Sequence, residues 1–169
     1  MSRVWLITDT HFGHDKMIQY CGRPDDFSSK ILNNMFSMVN KDDLLIHLGD
    51  ICIGQDTLWH ERLAVINCKK ILVRGNHDHK SDSWYMSHGW YFVCSSFVTR
   101  FEGKNILFSH APLPISDNDL NIHGHFHNTL HHEDMFGLLT NKHICLSIEE
   151  TNYKPVLLET YIEGCRQNA

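Results

Sequence analysis

Five short fragments carry the side chains that could do chemistry: Asp9-Thr10-His11, Gly49-Asp50, Gly75-Asn76-His77-Asp78, His110, and His125-Phe126-His127. Their carboxylate, imidazole and carboxamide donors form an oxygen and nitrogen set without sulfur. Such a set suits divalent manganese, iron or zinc and argues against Cu(I) or an iron–sulfur cluster. Asp50, alone after its glycine, can bridge two cations. The Asp-x-His and His-x-His pairs offer donors two residues apart on one side of an extended segment. Two cations ~3.5–4 Å apart would acidify a water between them and clamp a phosphoryl oxygen in line with that nucleophile. Hydrolysis of a phosphate ester also requires that the departing alkoxide be protonated. His77 beside Asn76 suits that general-acid role, with Asp78 available to hold its imidazole.

Each fragment alone has a plainer reading. Asn76, His77 and Asp78 are common turn formers, and Asp-Thr-His and Gly-Asp recur by chance. His125-Phe126-His127 also fits a half-buried strand with histidines on one face and Phe on the other. Order and placement favour chemistry. Each fragment follows an apolar run of strand length, and in open α/β sheets ligands collect at the carboxyl ends of strands.

The scaffold must therefore end several strands at one place. Val4 to Ile7, Leu44 to Leu48, Ile71 to Val73, Ile106 to Phe108 and Leu120 to Ile122 are the runs in question. Gly75 is expected to supply the unusual backbone angles with which the chain leaves the third of them. Ser28 and Ser29 can cap a helix over Lys30 to Asn40, with Ile31, Met35, Met38 and Val39 on one face. Thr57 to Asn67 has helical spacing through Leu58, Leu63 and Ile66. Strands separated by helices predict right-handed β-α-β units and an at least partly parallel sheet. After Asp78 the plan changes. Trp90 to Cys94 and Phe97 to Arg100 read as strands and Glu102 to Asn105 as a tight turn, without room for a crossover helix, so this half is expected to be antiparallel or mixed. Ile144 to Ile148 and Val156 to Ile162 are expected as two last strands, joined through Thr151 to Pro155.

A chain of 169 residues fits a single domain over its whole length and can bury ~70% of the surface its unfolded form exposes. Its 42% hydrophobic and 21% charged residues exclude a disordered or fibrous protein. Histidine stands out at 14 residues, and imidazole is the commonest metal ligand and titrates near neutrality. The net charge of -5 gives no footprint for stable nucleic-acid binding or for an anionic membrane surface. Metals would have to supply the positive charge for a phosphate-ester partner. Cys21, Cys52, Cys68, Cys94, Cys145 and Cys165 show no close pairing, which points to free thiols in a reducing compartment. Met1-Ser2-Arg3 runs directly into the first apolar segment, too short for a signal peptide or membrane span, so a cytoplasmic location is expected.

Taken together, Asp9-x-His11, Gly49-Asp50, Gly75-Asn76-His77-Asp78, His110 and Gly124-His125-x-His127 resemble the calcineurin-like metallophosphoesterase family over roughly residues 4–127. The resemblance implies an α/β fold, a two-sheet β-sandwich flanked by helices in αββα order, with the metal site at strand carboxyl ends. It implies two divalent ions, manganese first, with iron, zinc or nickel as alternatives. Asp9, His11, Asp50 and His127 would hold one, and Asp50, Asn76, His110 and His125 the other, with His77 facing substrate. The Ser/Thr protein phosphatases of the family follow Gly-Asp with a segment whose Arg grips phosphate, whereas Gly49-Asp50 here continues Ile51-Cys52-Ile53-Gly54. The chain more closely resembles short bacterial and phage-type members that lack a cap domain.

Three further residues are candidates for substrate binding: His14 and Arg23 after the first strand, and Arg74 before the Gly-Asn-His-Asp turn. An Arg or His near a dinuclear centre could bind a non-bridging phosphate oxygen, although Arg23 in an exposed loop could equally solvate the surface. His79, His123, His131 and His132 are left as structural or surface histidines, with His123 placed to support His125. The expected activity is a metal-dependent phosphoesterase, with a slight preference for phosphodiester, nucleotide or cyclic-nucleotide substrates. The alternatives are a phosphomonoesterase or protein phosphatase, a non-catalytic scaffold that keeps the fold, and a nucleic-acid-binding module. The sequence sets no oligomeric state.

Overall fold

Alternation along the first strand sets the layering. The computed structural model describes residues 2–129 and 133–167. In β1 (Val4–Ile7), Trp5 and Ile7 join one buried apolar cluster and Leu6 another, as the two-residue period of a strand requires. β2 (Leu44–His47) and β3 (Lys69–Val73) repeat the division: Leu45 and Leu72 lie with Trp5, and Ile46 and Val73 with Leu6. Both faces of this sheet are therefore buried, and each needs a cover.

Helices cover the first face. α1 (Lys16–Cys21), α2 (Phe27–Met38), α3 (Asp56–Ala64) and α4 (Asp82–Ser87) contribute Met17, Ile31, Met35, Leu63 and Tyr85 to the Trp5 cluster. A second sheet covers the other face, through Ile106 and Phe108 of β6 (Lys104–Ser109) and Ile122 of β7 (Leu120–His123). Phe108 is fully buried there, and truncating it to Ala would cost about 3–5 kcal/mol. The two-sheet sandwich flanked by helices is as expected.

The first sheet runs β4-β3-β2-β1-β9, with β4 (Phe92–Cys94) and β9 (Val156–Leu157) at its edges. β1 to β4 pair in parallel and β9 antiparallel. The second runs β5-β6-β7-β8, from β5 (Ser96–Phe101) to β8 (His143–Cys145). Its β5–β6 pair is an antiparallel hairpin turned at Glu102 and Gly103, φ 46° and 80°, the paired positive angles of a two-residue turn. β6, β7 and β8 are parallel.

Several expectations need correction. The stretch Trp90 to Cys94 belongs to the first sheet, parallel to β3, because α4 supplies a crossover helix that composition did not reveal. Ser81 caps that helix, its side chain accepting Trp84 N–H at 3.2 Å. Val156 to Ile162 is a strand for two residues only. From Leu158 it is helix α5 (Leu158–Gln167), and Leu158 and Ile162 share a buried face at the four-residue spacing of a helix. β8 ends at Cys145, before the expected Ile148. α2 starts at Phe27 rather than Lys30. Ser28 does not cap it but takes the backbone N–H of Gly13 at 3.1 Å. On α3, Leu58 is among the exposed residues while Trp59 and His60 face inward. All six cysteines are free, and no described helix is long and apolar enough to cross a membrane.

Candidate metal centre

The loops after β1, β2, β3, β6 and β7 meet at one end of the sandwich because backbone groups tie them together. Asp9 N–H donates to Gly49 O at 2.9 Å, His11 N–H to Asp50 O at 3.0 Å, and Gly124 N–H to His110 O at 2.8 Å. Bonds from loop to loop also join the sheets, among them His110 Nδ1 to Leu48 O at 2.7 Å and His125 N–H to Asp9 Oδ2 at 2.9 Å.

Glycines allow this approach. A Cβ on Gly75 would press into the Asp50 carboxylate, and one on Gly124 into Thr8 Oγ1 and the Asp9 carboxylate. Gly75 is absent from the positive-φ residues. It is needed for close approach, not for the unusual backbone angles expected of it. Gly49, at φ 97°, packs against Gly75 and needs both kinds of freedom.

Among the described residues nine non-glycines have positive φ, and five are Asp9, His11, Asp50, His125 and His127. Each such angle costs about 1–2 kcal/mol, and their concentration here marks backbone strain held at a site. The Asp-x-His and His-x-His pairs are therefore kinked rather than extended. It is the alternate left-handed residues that turn their side chains together.

Two groups of donors result. Single atoms of Asp9, His11 and His127 lie within 4.8 Å of one another, as do single atoms of Asp50, His110 and His125. Asp50 Oδ2 stands between the groups, 3.5 Å from His11 Nε2 and 3.4 Å from His110 Nε2. Asn76 Oδ1 completes the second group, 3.0 Å from His110 Nε2. Donor and acceptor inventory shows what the arrangement lacks. His110 Nδ1 is committed to Leu48 O, so its Nε2 lone pair faces the oxygens of Asn76 and Asp50. Asp9 Oδ1 and both ring nitrogens of His11 are buried with no hydrogen-bond partner. Lone pairs turned on one another need a cation between them, and this oxygen and nitrogen set fits divalent metal ions.

The electrostatics agree. Burial raises the Asp9 carboxyl above its ordinary range, against the charges of His110 and His127. Burial pushes Asp50 up too, but the hydrogen bond and charge of His110 and the backbone N–H of His77 outweigh it and hold Asp50 low. Burial lowers His11 to about 2, leaving a neutral ring. At His110 burial works downward, but Asp50 and Asp9 lift the ring to about 9. Without metal, a proton supplies part of the missing positive charge.

His77 overlooks this cluster from the solvent side. Its side chain is 41% exposed and its Nε2 lies 3.9 Å from Asp50 Oδ2, while its backbone N–H holds Asp50 Oδ1 at 2.9 Å. Next to it opens a cleft of about 520 Å³, lined by His11, His14, Lys16, Tyr20, Ile53 and Thr129 among others. His14 is thus brought to the site, its ring centroid 5.6 Å from that of His11.

Three expected site residues lie elsewhere or act otherwise. Asp78 does not hold the His77 ring. Its carboxylate accepts the backbone N–H groups of Asp50, Ile51 and Gly75 at 2.8, 3.1 and 2.8 Å. Arg23 is no exposed loop residue: it is 2% exposed, and its guanidinium is used up on Glu149, Asp9 O and Thr10 O. Arg74 turns toward Asp82 at 3.3 Å and does not line the cleft. Of the remaining histidines, His79 is exposed and His123 is buried with Nδ1 at 2.9 Å from Gly124 O. His131 and His132 lie outside the described residues.

Three supporting residues had no sequence signal. Glu149 Oε1 is 3.2 Å from His127 Nδ1. Burial would raise its carboxyl, but the His127 hydrogen bond and the Arg23 charge hold it down at about 2. Thr8 donates to Asp9 Oδ2 at 2.6 Å. His47 bonds Thr10 Oγ1 at 3.0 Å, and Thr10 in turn donates to Ile51 O at 2.8 Å. Cys21, His127 and Glu149 also lie close enough to hold a metal, but the Arg23 guanidinium already fills that space.

Comparison with known proteins bears on this geometry. The family model described as calcineurin-like phosphoesterase matches residues 2–158. The uncharacterized protein MJ1445 of Methanocaldococcus jannaschii is 29% identical over 176 residues, 96% of this chain and 91% of that protein. A solved structure of AQ665, a protein of unknown function from Aquifex aeolicus, is similar at a TM-score of 0.77 and 26% identity, covering 97% of this chain and 99% of that one. The nuclease MPE of Pseudomonas putida shares the fold at a TM-score of 0.52 and 24% identity, over 74% of this chain and 62% of that one. Ordered donors at five strand ends, a cation-deficient cluster and a match over nearly the whole chain lead to one conclusion: the chain belongs to the calcineurin-like phosphoesterase family, metal-dependent hydrolases of phosphate esters.

Proposed function

We propose that this chain is a single-domain phosphodiesterase acting on nucleotide-type esters with two divalent ions, manganese foremost. The observation that carries the reading is Asp50 Oδ2, poised between the two donor groups and beside His11 and His77, which line the cleft. In this reading Asp9, His11 and His127 serve one ion, Asn76, His110 and His125 the other, and Asp50 both. The ions, when bound, supply an acidified water as nucleophile and neutralise charge developing on the phosphate. His77, exposed above the cluster, protonates the departing alkoxide. Asp78, His47 and Thr10 keep the loops in register beneath it.

The cleft favours a diester or nucleotide over a phosphoprotein. Among the described residues that line it Lys16 is the only Lys or Arg, while Met17, Tyr20 and Ile53 form a largely apolar wall. A substrate with one phosphate charge and a flat, apolar group suits that wall. His14 can contact a non-bridging phosphate oxygen. The net charge of -5 leaves nucleic acid as a transient substrate at most.

A panel of cyclic nucleotides, 2′,3′-cyclic phosphates, nucleotides, an aryl phosphodiester, an aryl phosphomonoester and phosphopeptides, assayed with Mn2+, tests the reading. Diester and nucleotide turnover should exceed that of the others, and chelation should abolish it. Preference for phosphopeptides would favour the phosphatase alternative, and inert protein with both ions bound would favour the scaffold.

A further inference from the structure

His77 and Ile53 divide two openings. Both line the cleft, and both also line a recess of about 160 Å³ whose other walls include Gly54, Asp56, His79 and Lys80. A phosphodiester carries two arms on one phosphorus, and only the arm that departs must meet the general acid. Resting on the diester reading above, we propose that the recess receives the departing arm, and that Asp56 and Lys80 select an alcohol with at least one further hydroxyl, of the glycerol or pentose type.

The charges in the recess define that class. Asp56 Oδ2 and Lys80 Nζ stand 3.9 Å apart, beyond hydrogen-bond reach, and among the described residues the Asp56 carboxylate accepts no hydrogen bond. A group that is donor and acceptor at once fits between them: a hydroxyl can donate to the carboxylate and accept from the ammonium. A second phosphate would meet the charge of Asp56, and a cationic arm that of Lys80. The fold places both groups. The backbone N–H of Lys80 donates to the hydroxyl of buried Tyr85 at 3.3 Å, and its ammonium lies 5.7 Å from the Trp84 ring centroid. Asp56 opens α3 directly after Gly54 and Gln55, at φ 74° and 51°. Gln55 lacks the freedom of a glycine, and such an angle persists where the surrounding structure fixes the backbone.

Size separates the two openings. The cleft, with Met17 and Tyr20 on its wall, takes the flat apolar arm, and the recess, less than a third as large, takes the small polar one. Water adds its oxygen to phosphorus, the P–O bond to the arm in the recess breaks, and His77 gives its proton to the departing oxygen. The attacking water releases a proton in exchange. One water is consumed, and a nucleoside monophosphate and a free polyhydroxy alcohol result.

Hydrolysis of adenosine 5′-phosphate esters with Mn2+ tests this, with glyceryl, ribose-5-yl and 2,3-dimethoxypropyl arms compared. The methyl ethers keep the inductive pull of the glyceryl oxygens and lose their hydrogens. Wild type should release adenosine 5′-phosphate and the free alcohol. Its kcat/KM should be ~10-fold higher for the glyceryl or the ribosyl ester than for the ether, the low end for a hydrogen bond to a charged group. The faster of the two hydroxylated esters identifies the arm. In Asp56→Asn and in Lys80→Met, both checked for folding by circular dichroism, that ratio should fall toward one. Equal rates for ether and hydroxylated arms in wild type, an unchanged ratio in a folded variant, or cleavage to adenosine and the phosphorylated alcohol would overturn this inference alone. Failure to turn over any of the three esters would remove the diester reading and this inference with it.

Discussion

The carboxylate of Asp78 accepts the backbone N–H of Asp50 at 2.8 Å and does not touch the His77 ring beside it. With the N–H groups of Ile51 and Gly75 on the same carboxylate, Asp78 stitches the loop after β3 to the loop after β2. Asp78→Ala would leave three amides to find other partners, at ~1–3 kcal/mol for each that stays buried and unmet. Thermal or urea unfolding of the metal-free protein should show a loss of about 3 kcal/mol. A variant of wild-type stability, altered only in the pH profile of turnover, would restore Asp78 as partner of the His77 ring.

The close loops make the glycines testable. Gly75→Ala and Gly124→Ala place a methyl against the Asp50 and Asp9 carboxylates, and overpacking of this kind costs about 1–3 kcal/mol. Both variants should lose stability and metal affinity together. Gly164→Ala is the control: among the described residues nothing lies within 4 Å of a Cβ built there, and within α5 it should be neutral or gain up to ~1 kcal/mol.

His77→Ala should separate chemistry from metal binding. The ring is 41% exposed and its Nε2 stands 3.9 Å from Asp50 Oδ2, so metal content should be unchanged. Turnover should fall ~10²–10⁴-fold on an ester with a poor leaving group and less on an activated aryl ester. Full activity on the poor leaving group would remove the general-acid role.

His60, away from the site, sets part of the acid sensitivity. It is 1% exposed and accepts Trp90 Nε1–H at 2.9 Å, and burial lowers its pKa from 6.5 to about 4. In the unfolded chain the ring takes up a proton below pH 6.5, but in the fold only near pH 4. Its contribution is therefore complete above pH 6.5 and is lost as pH falls to 4, on the order of 3 kcal/mol. Stability of metal-free His60→Gln, set against wild type from pH 7 to 4, should converge toward it as acid is added. A difference independent of pH would contradict the assignment.

How much of this was legible follows from what each residue does. Asp9, Asp50 and His110 sit at the ends of apolar runs, and a strand end is visible as an abrupt change in polarity. The αL kinks that converge Asp9 with His11 leave no such mark, because Asp and His adopt them only when the surrounding loops over-determine the backbone. Arg23 and Glu149 are 126 positions apart, and their pairing exists only once both sheets are folded. The last segment misled for a different reason. Val156 to Ile162 is apolar at positions that fit either period, and the edge position of β9 ends the strand where α5 begins.

The most direct measurement is anomalous diffraction from crystals grown with Mn2+. Two manganese peaks should flank the Asp50 carboxylate, one toward Asp9, His11 and His127 and the other toward Asn76, His110 and His125. A single peak, or a peak between Cys21, His127 and Glu149, would contradict the shared-carboxylate centre on which the proposed chemistry rests.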